Sequence, residues 1–175
     1  MNTPILIVPG IGNSDAHHWQ TRWQRSNPAC ERLAVEDWEH PVCELWVETI
    51  DAAVKRLGSS TLIVAHSLGC LAVAHWAART SHPVHGVLLV ALPDPDGPAF
   101  PGAAHGFAPL PLQRFPCPSI VVASDDDPYG SPEYAGDCAA AWGSRLVKAG
   151  NQGHLNSASG LGDWEEGWAL LQSLG

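Results

Sequence analysis

Residues Thr61 to Gly69 read TLIVAHSLG, an uncharged run that ends in a serine and a glycine. Thr61-Leu62-Ile63-Val64-Ala65 is short, rich in β-branched residues and bounded by Gly58-Ser59-Ser60. That composition suits a strand covered on both faces of a parallel sheet. After Ser67-Leu68-Gly69 the pattern changes. Cys70 to Ala78, CLAVAHWAA, is small and apolar without proline and fits a mostly buried helix. Ser67 therefore falls at a strand-to-helix turn.

Working outward, three further apolar runs stand out at Ile5–Val8, Val84–Leu92 and Ser119–Ala123, with weaker strand candidates at Leu33–Val35 and Arg145–Val147. Helical composition lies between most of them, at 17–26, 42–57, 68–80, 132–142 and 163–174. Strands alternating with helices predict an α/β fold, a mostly parallel sheet of about six strands with helices on both faces. Sites in such sheets lie beyond the carboxyl ends of the strands. Pro93 to Pro118 breaks the alternation, because its prolines and glycines leave little room for regular structure. Either it serves the site as a lid or it merely covers the sheet.

The chain has 175 residues, enough for one domain with a real core, and no composition break divides it, so 1–175 reads as a single domain. Nine Lys and Arg against 18 Asp and Glu give a formal charge of −9. Such a surface repels phosphate backbones and anionic membranes, which argues against both as partners. The N-terminal MNTPILIVPG lacks a basic region, and its apolar run stops at Pro9, so a cytoplasmic location is expected. Five scattered cysteines without a C-x-x-C pair read as reduced thiols.

The chemistry starts at Ser67. In a nucleophile elbow the turn is so sharp that the residues two before and two after the serine must be small. Ala65 and Gly69 meet that demand, although the usual pattern is G-x-S-x-G. A serine there can also be a plain helix N-cap. Two further stretches favour the elbow. Ser124-Asp125-Asp126-Asp127-Pro128 follows the 119–123 strand and offers an acid, and Gly150-Asn151-Gln152-Gly153-His154 follows the last strand candidate and offers a base. The order Ser, Asp, His is that of α/β-hydrolases. An oxyanion hole in this fold takes one N–H from the residue after the nucleophile, here Leu68, and one from the loop after an early strand. Pro9-Gly10-Ile11-Gly12 is such a loop, and Ile11 is the candidate donor.

The remaining inventory reads as structural. Trp38, Trp46 and Trp76 lie in or beside helical segments and read as core, and His66 beside the serine reads as a packing residue. The nine histidines form no H-E-x-x-H or similar ligand spacing, and no glycine-rich phosphate motif occurs, so no metal and no cofactor are expected.

VPGIGNSDAHHWQTRW, VEDWEHPVCELW, VAHSLGCLAVAHW, ASDDDPYGS and AGNQGHLNSASGLGDW together resemble the small serine hydrolases of the retinoblastoma-binding protein nine type, particularly their bacterial branch. The match runs from about Pro4 to the C-terminus. HHW, the DW…P…W stretch and GH-x-N-x-x-S-G-x-G-D-W carry it in combination. The resemblance implies a compact α/β-hydrolase fold without the first strands of the larger enzymes, with Ser67, Asp127 and His154 matching the catalytic triad. Among the three aspartates, Asp127 also precedes Pro128, which restricts it to extended angles and gives its side chain a defined direction. The expected activity is acyl transfer to water from small carboxylic esters. The rival expectation is a protein-binding module on a hydrolase scaffold, using the 93–118 segment or another exposed face.

Overall fold

The computed structural model describes residues 3–175; Met1 and Asn2, which begin both the N-terminal stretch and the 1–175 domain span, lie outside the described residues. The described residues form six strands: β1 (Ile5–Val8), β2 (Cys30–Arg32), β3 (Leu62–His66), β4 (Gly86–Val90), β5 (Ser119–Ala123) and β6 (Arg145–Lys148). They pair in the order β2-β1-β3-β4-β5-β6, and every pair is parallel. Five α-helices connect them: α1 (Trp19–Ser26), α2 (Cys43–Leu57), α3 (Leu68–Ala77), α4 (Pro132–Trp142) and α5 (Glu165–Gln172). This is the α/β-hydrolase architecture in compact form.

Strand periodicity divides the core into two layers. Leu6, Val8, Ile63, Ala65, Val87 and Leu89 face one side, where they pack with Trp46, Leu71, Trp76 and Trp142 from α2, α3 and α4. Ile5, Ile7, Leu62, Val64, Leu88 and Val90 face the other, against Trp19, Trp23 and Leu171 from α1 and α5. The central strands are buried on both faces, which is why they read as unbroken apolar runs. α3 has the same character. Eight of its ten residues are buried, so it crosses the core with no polar face to show. Trp46 and Trp76 are core, as expected, and Trp38 packs against the same layer while partly exposed.

One strand expectation fails. The edge strand is Cys30–Arg32, not Leu33–Val35. Cys30, Glu31 and Arg32 pair with Ile5, Leu6 and Ile7, and only the Leu33 N–H still reaches the sheet, at Ile7 O, 2.8 Å. An edge strand needs one covered side, so charged residues can occupy it. Arg32 is held there by hydrogen bonds to Gln24, Asn13, Thr21 and the Ser14 carbonyl. Leu33, buried just beyond, supplies the apolar signal without the pairing.

The 93–118 segment contains no helix or strand, and its one β-bridge joins His105 to Val42. It is pinned rather than loose. Phe107 and Phe115 are buried, and side chains of the body hold its carbonyls: His75 Nε2 to Phe107 O at 3.0 Å, Trp142 Nε1 to Pro111 O at 2.9 Å, and Tyr134 Oη to Pro93 O at 3.1 Å. Among the described residues no helix is long and apolar enough to cross a membrane.

Candidate active site

Strand order reverses between β1 and β3, and the crevice beyond their carboxyl ends is where this topology opens a binding site. Ser67 stands there, directly after β3. Its φ of 53° and ψ of −127° are unusual for a residue with a side chain, and it makes no capping bond to α3. That rules out the plain N-cap. The turn is tight enough to exclude larger neighbours: a Cβ on Gly69 would lie 2.5 Å from both the Val8 and Pro9 carbonyl oxygens, and one on Gly10 would lie 2.9 Å from Ser67 Cβ. Ala65, in place of the usual glycine, is fully buried and fits.

The Ser67 hydroxyl meets His154 Nε2 at 2.8 Å. On the far side of the imidazole, Nδ1 lies 2.9 Å from both carboxylate oxygens of Asp127. The side chains of His154 and Asp127 are only 10% and 2% exposed, so the contact is shielded from water. One Asp127 oxygen also accepts from the Tyr129 N–H at 3.0 Å, and the Tyr129 ring lies 4.5 Å from that of His154.

Asp126 turns the other way. It accepts from Ser124 Oγ at 2.8 Å and from the Gly153 N–H at 2.7 Å, and these two bonds hold its carboxyl below the usual range. Gln152 N–H to Ser124 Oγ and Asp125 N–H to Gly150 O complete the lacing between the two loops. Asp125 itself is exposed.

Leu68 opens α3, so its N–H is among those that a helix leaves without an intrahelical acceptor. Gly10, Ile11, Ser67 and Leu68 line the same cleft, of about 420 Å³, together with His154. The Gly10–Asn13 turn is closed by Asn13 N–H to Gly10 O, while Gly12 N–H donates to Trp38 O. Four of the five residues read from the sequence, Ile11, Ser67, Leu68 and His154, thus line one cleft, and the fifth, Asp127, is buried behind His154.

Three contributors lay outside that set. His66 is buried and does more than pack. Its Nε2 donates to the His154 carbonyl at 2.9 Å, so the residue before the serine anchors the loop that carries the histidine. Burial holds its pKa well below the usual histidine range, which keeps it neutral. Trp19 Nε1 donates to the neighbouring Leu155 carbonyl at 2.8 Å. His18 lines the cleft beside them, its ring 4.7 Å from that of His66. Adjacency to Ser67 was the available signal for His66; the other two lie in the HHW motif, which carried the resemblance without pointing to their contacts.

The sequence profile of the serine hydrolase family matches residues 5–173. No curated protein matches the chain in sequence. Among solved structures, a YdeN-like hydrolase from Pectobacterium atrosepticum is 30% identical, with a TM-score of 0.87 over 98% of this chain and 89% of that one. The ydeN gene product of Bacillus subtilis is 20% identical, with a TM-score of 0.74 over 99% and 98%. An esterase from Thermogutta terrifontis, at 16% identity and a TM-score of 0.73 over 99% and 90%, shares the fold. With a family match that spans nearly every residue and a 30% identical hydrolase of the same shape, the chain belongs to the serine hydrolase family and is an enzyme of the α/β-hydrolase fold.

Proposed function

We propose that the chain hydrolyses small carboxylic esters by acyl transfer through Ser67, His154 and Asp127. The observation that carries this is the continuous contact from Ser67 Oγ through the His154 ring to both oxygens of a buried Asp127. A neutral imidazole placed in that way takes a proton at Nε2 only if Nδ1 keeps its own, and a carboxylate on Nδ1 fixes that tautomer.

Ser67 Oγ attacks the ester carbonyl carbon while His154 Nε2 takes the hydroxyl proton. The carbonyl oxygen becomes an oxyanion, for which the Leu68 and Ile11 amides, both on the cleft wall, are the donors. When the tetrahedral intermediate collapses, the C–O bond to the alcohol breaks and His154 returns the proton to the leaving oxygen. Water then attacks the acyl-serine, with His154 again as base, and Ser67 recovers its proton as the acid departs. The net change is one ester and one water to one acid and one alcohol, with no cofactor. Cleft size and the apolar side chains of Ile11, Phe100 and Pro101 favour a small ester with an apolar portion.

The experiment is covalent labelling with a fluorophosphonate, which reacts only with an activated serine. One equivalent is expected on Ser67 in the wild type and none in Ser67→Ala, with unchanged circular dichroism. Labelling of Ser67→Ala at the wild-type rate would place the nucleophile elsewhere. A panel of oxygen esters and thioesters of increasing chain length then ranks the substrates.

A further inference from the structure

His18 is the one buried side-chain polar atom of the described residues left over when hydrogen bonds are assigned: its Nε2 has no partner, though the residue is only 4% exposed. The ring is not a displaced surface group. Its Nδ1 accepts the Gln20 N–H at 3.2 Å and so caps α1, and the His18 backbone N–H donates to Asp15 Oδ1 at 3.1 Å. Because Nδ1 is an acceptor, the ring proton sits on Nε2. Burial lowers the pKa to about 4, so the ring stays neutral and this tautomer persists through the ordinary pH range. A buried N–H donor without an acceptor costs free energy, and folded proteins rarely keep one without a use.

The surroundings indicate the use. His18 lies on the wall of the cleft that holds Ser67 and His154, next to Asp15, Asn156 and Ser157. One oxygen of each of the first two is already engaged. Asp15 accepts from Ser157 Oγ at 2.7 Å and from two backbone amides, and Asn156 Oδ1 accepts from the Ala158 N–H. The His18 donor is the fully buried group of this wall that has no partner within the protein.

We infer that His18 Nε2–H is a specificity group that donates to an acceptor oxygen of the substrate other than the reacting carbonyl. This deepens the acyl-transfer proposal and rests on it. The substrate class narrows from any small ester to one carrying an ether, hydroxyl or oxo oxygen near the scissile bond. A site built around a hydrogen-bond donor discriminates strongly against the analogue that lacks the acceptor, because the buried donor is then left unpaired.

Ester pairs that exchange one methylene for oxygen provide the test. In the acyl part, 4-nitrophenyl methoxyacetate is compared with the butanoate; in the alcohol part, 2-methoxyethyl acetate is compared with butyl acetate. His18→Asn keeps an oxygen to cap α1 but is too short to place a donor at the Nε2 position, whereas His18→Gln can place an amide N–H there. For at least one pair the wild-type preference in kcat/KM for the ether member is expected to fall about tenfold in His18→Asn and to recover in His18→Gln. Comparing variants cancels the intrinsic reactivity of each ester.

Equal loss on both members of each pair would reduce His18 to a structural cap and overturn the inference. Nuclear magnetic resonance supplies a check that leaves His18 intact: in Ser67→Ala, the ether ester and not its methylene partner should shift the His18 ring N–H signal. Fluorophosphonate labelling of the same preparations separates the two levels. Normal labelling with unchanged preferences sinks the role of His18 alone, and a wild type that does not label sinks acyl transfer and the inference together.

Discussion

The turn at Ser67 and the paired loops that carry Asp127 and His154 are held by different forces. At the turn the constraint is steric: two carbonyl oxygens at 2.5 Å leave no space for a side chain at position 69, and the Ser67 backbone is bent into the positive-φ region. At the loops it is a lattice of hydrogen bonds, from Ser124 Oγ, Gly153 N–H, Gln152 N–H and Asp125 N–H, that joins the end of β5 to the segment after β6. His66 bridges the two regions through the His154 carbonyl. Sterics admit few residues and leave a local signature. Hydrogen bonds between loops accept many polar and small residues, so their partners emerge only when the chain is folded.

The widest gap between the regions is predicted at Asp127. Asp127→Asn keeps the shape of the carboxylate but offers an amide where His154 Nδ1–H needs an acceptor, which favours the wrong imidazole tautomer. By the behaviour of other triads, kcat should fall on the order of 10³ to 10⁴. Fluorophosphonate labelling should slow in parallel, with the thermal melt little changed. A fall below tenfold would show that the elbow alone suffices.

Much of this was legible before folding. The elbow could be read from Ala65, Ser67 and Gly69, and the parallel sheet from apolar runs too continuous for strands with an exposed face. The edge strand was misplaced by three residues because Glu31 and Arg32 are polar and a partly covered edge accepts them. Three adjacent aspartates could be separated only by family resemblance and by Pro128. Their difference lies in which loop each reaches, Asp126 to Gly153 and Asp127 to His154. The donors of His66 and Trp19 reach backbone carbonyls, which leave no trace in side-chain identity.

Acid should weaken the join between the regions before it disturbs the sheet. His18 and His66 are neutral in the folded protein, with pKa values lowered mainly by burial, to about 4 for His18. In the unfolded chain a histidine takes its proton near pH 6.5. Their neutral packing is therefore fully in place above about pH 6.5 and is lost as the pH falls toward 4, because the unfolded state then binds more protons. His18 alone should contribute a loss on the order of 3 kcal/mol across that window. Urea melts at pH 7 and pH 4.5 check this, and His18→Asn should flatten the difference between them. A pH-independent midpoint in the wild type would contradict the burial of these rings.

The steric side can be tested with one methyl group. Gly69→Ala puts a carbon against the Val8 and Pro9 carbonyls, both backbone, so relief requires β1 and α3 to separate. Overpacking of this kind typically costs about 1–3 kcal/mol. The expected result is a lower unfolding midpoint together with slower Ser67 labelling, because the same shift moves the Gly10–Ile11 turn. Unchanged stability would mean that the elbow is looser than its contacts imply.

Asp126→Asn should have the smallest effect and sharpens the comparison most directly. Asp126 is adjacent to the residue whose amide is predicted to cost three to four orders of magnitude, and it carries the same functional group. Its task is different. One oxygen accepts from Ser124 Oγ and from the Gly153 N–H, and an asparagine carbonyl oxygen can accept both bonds without reversing a donor. What is lost is the charge on the acceptor, and the carboxylate is exposed enough for water to screen much of that. The loop carrying His154 should stay laced, with kcat reduced about tenfold or less. Asp126→Ala, which removes the acceptor altogether, should cost more than Asp126→Asn by loosening Gly153, and the loss should reach kcat through the position of His154 while leaving the wild-type ester preference intact. If Asp126→Asn instead matched or exceeded Asp127→Asn on folded proteins, the acid of the proposed triad would move to Asp126, with Ser67 and His154 unchanged in role.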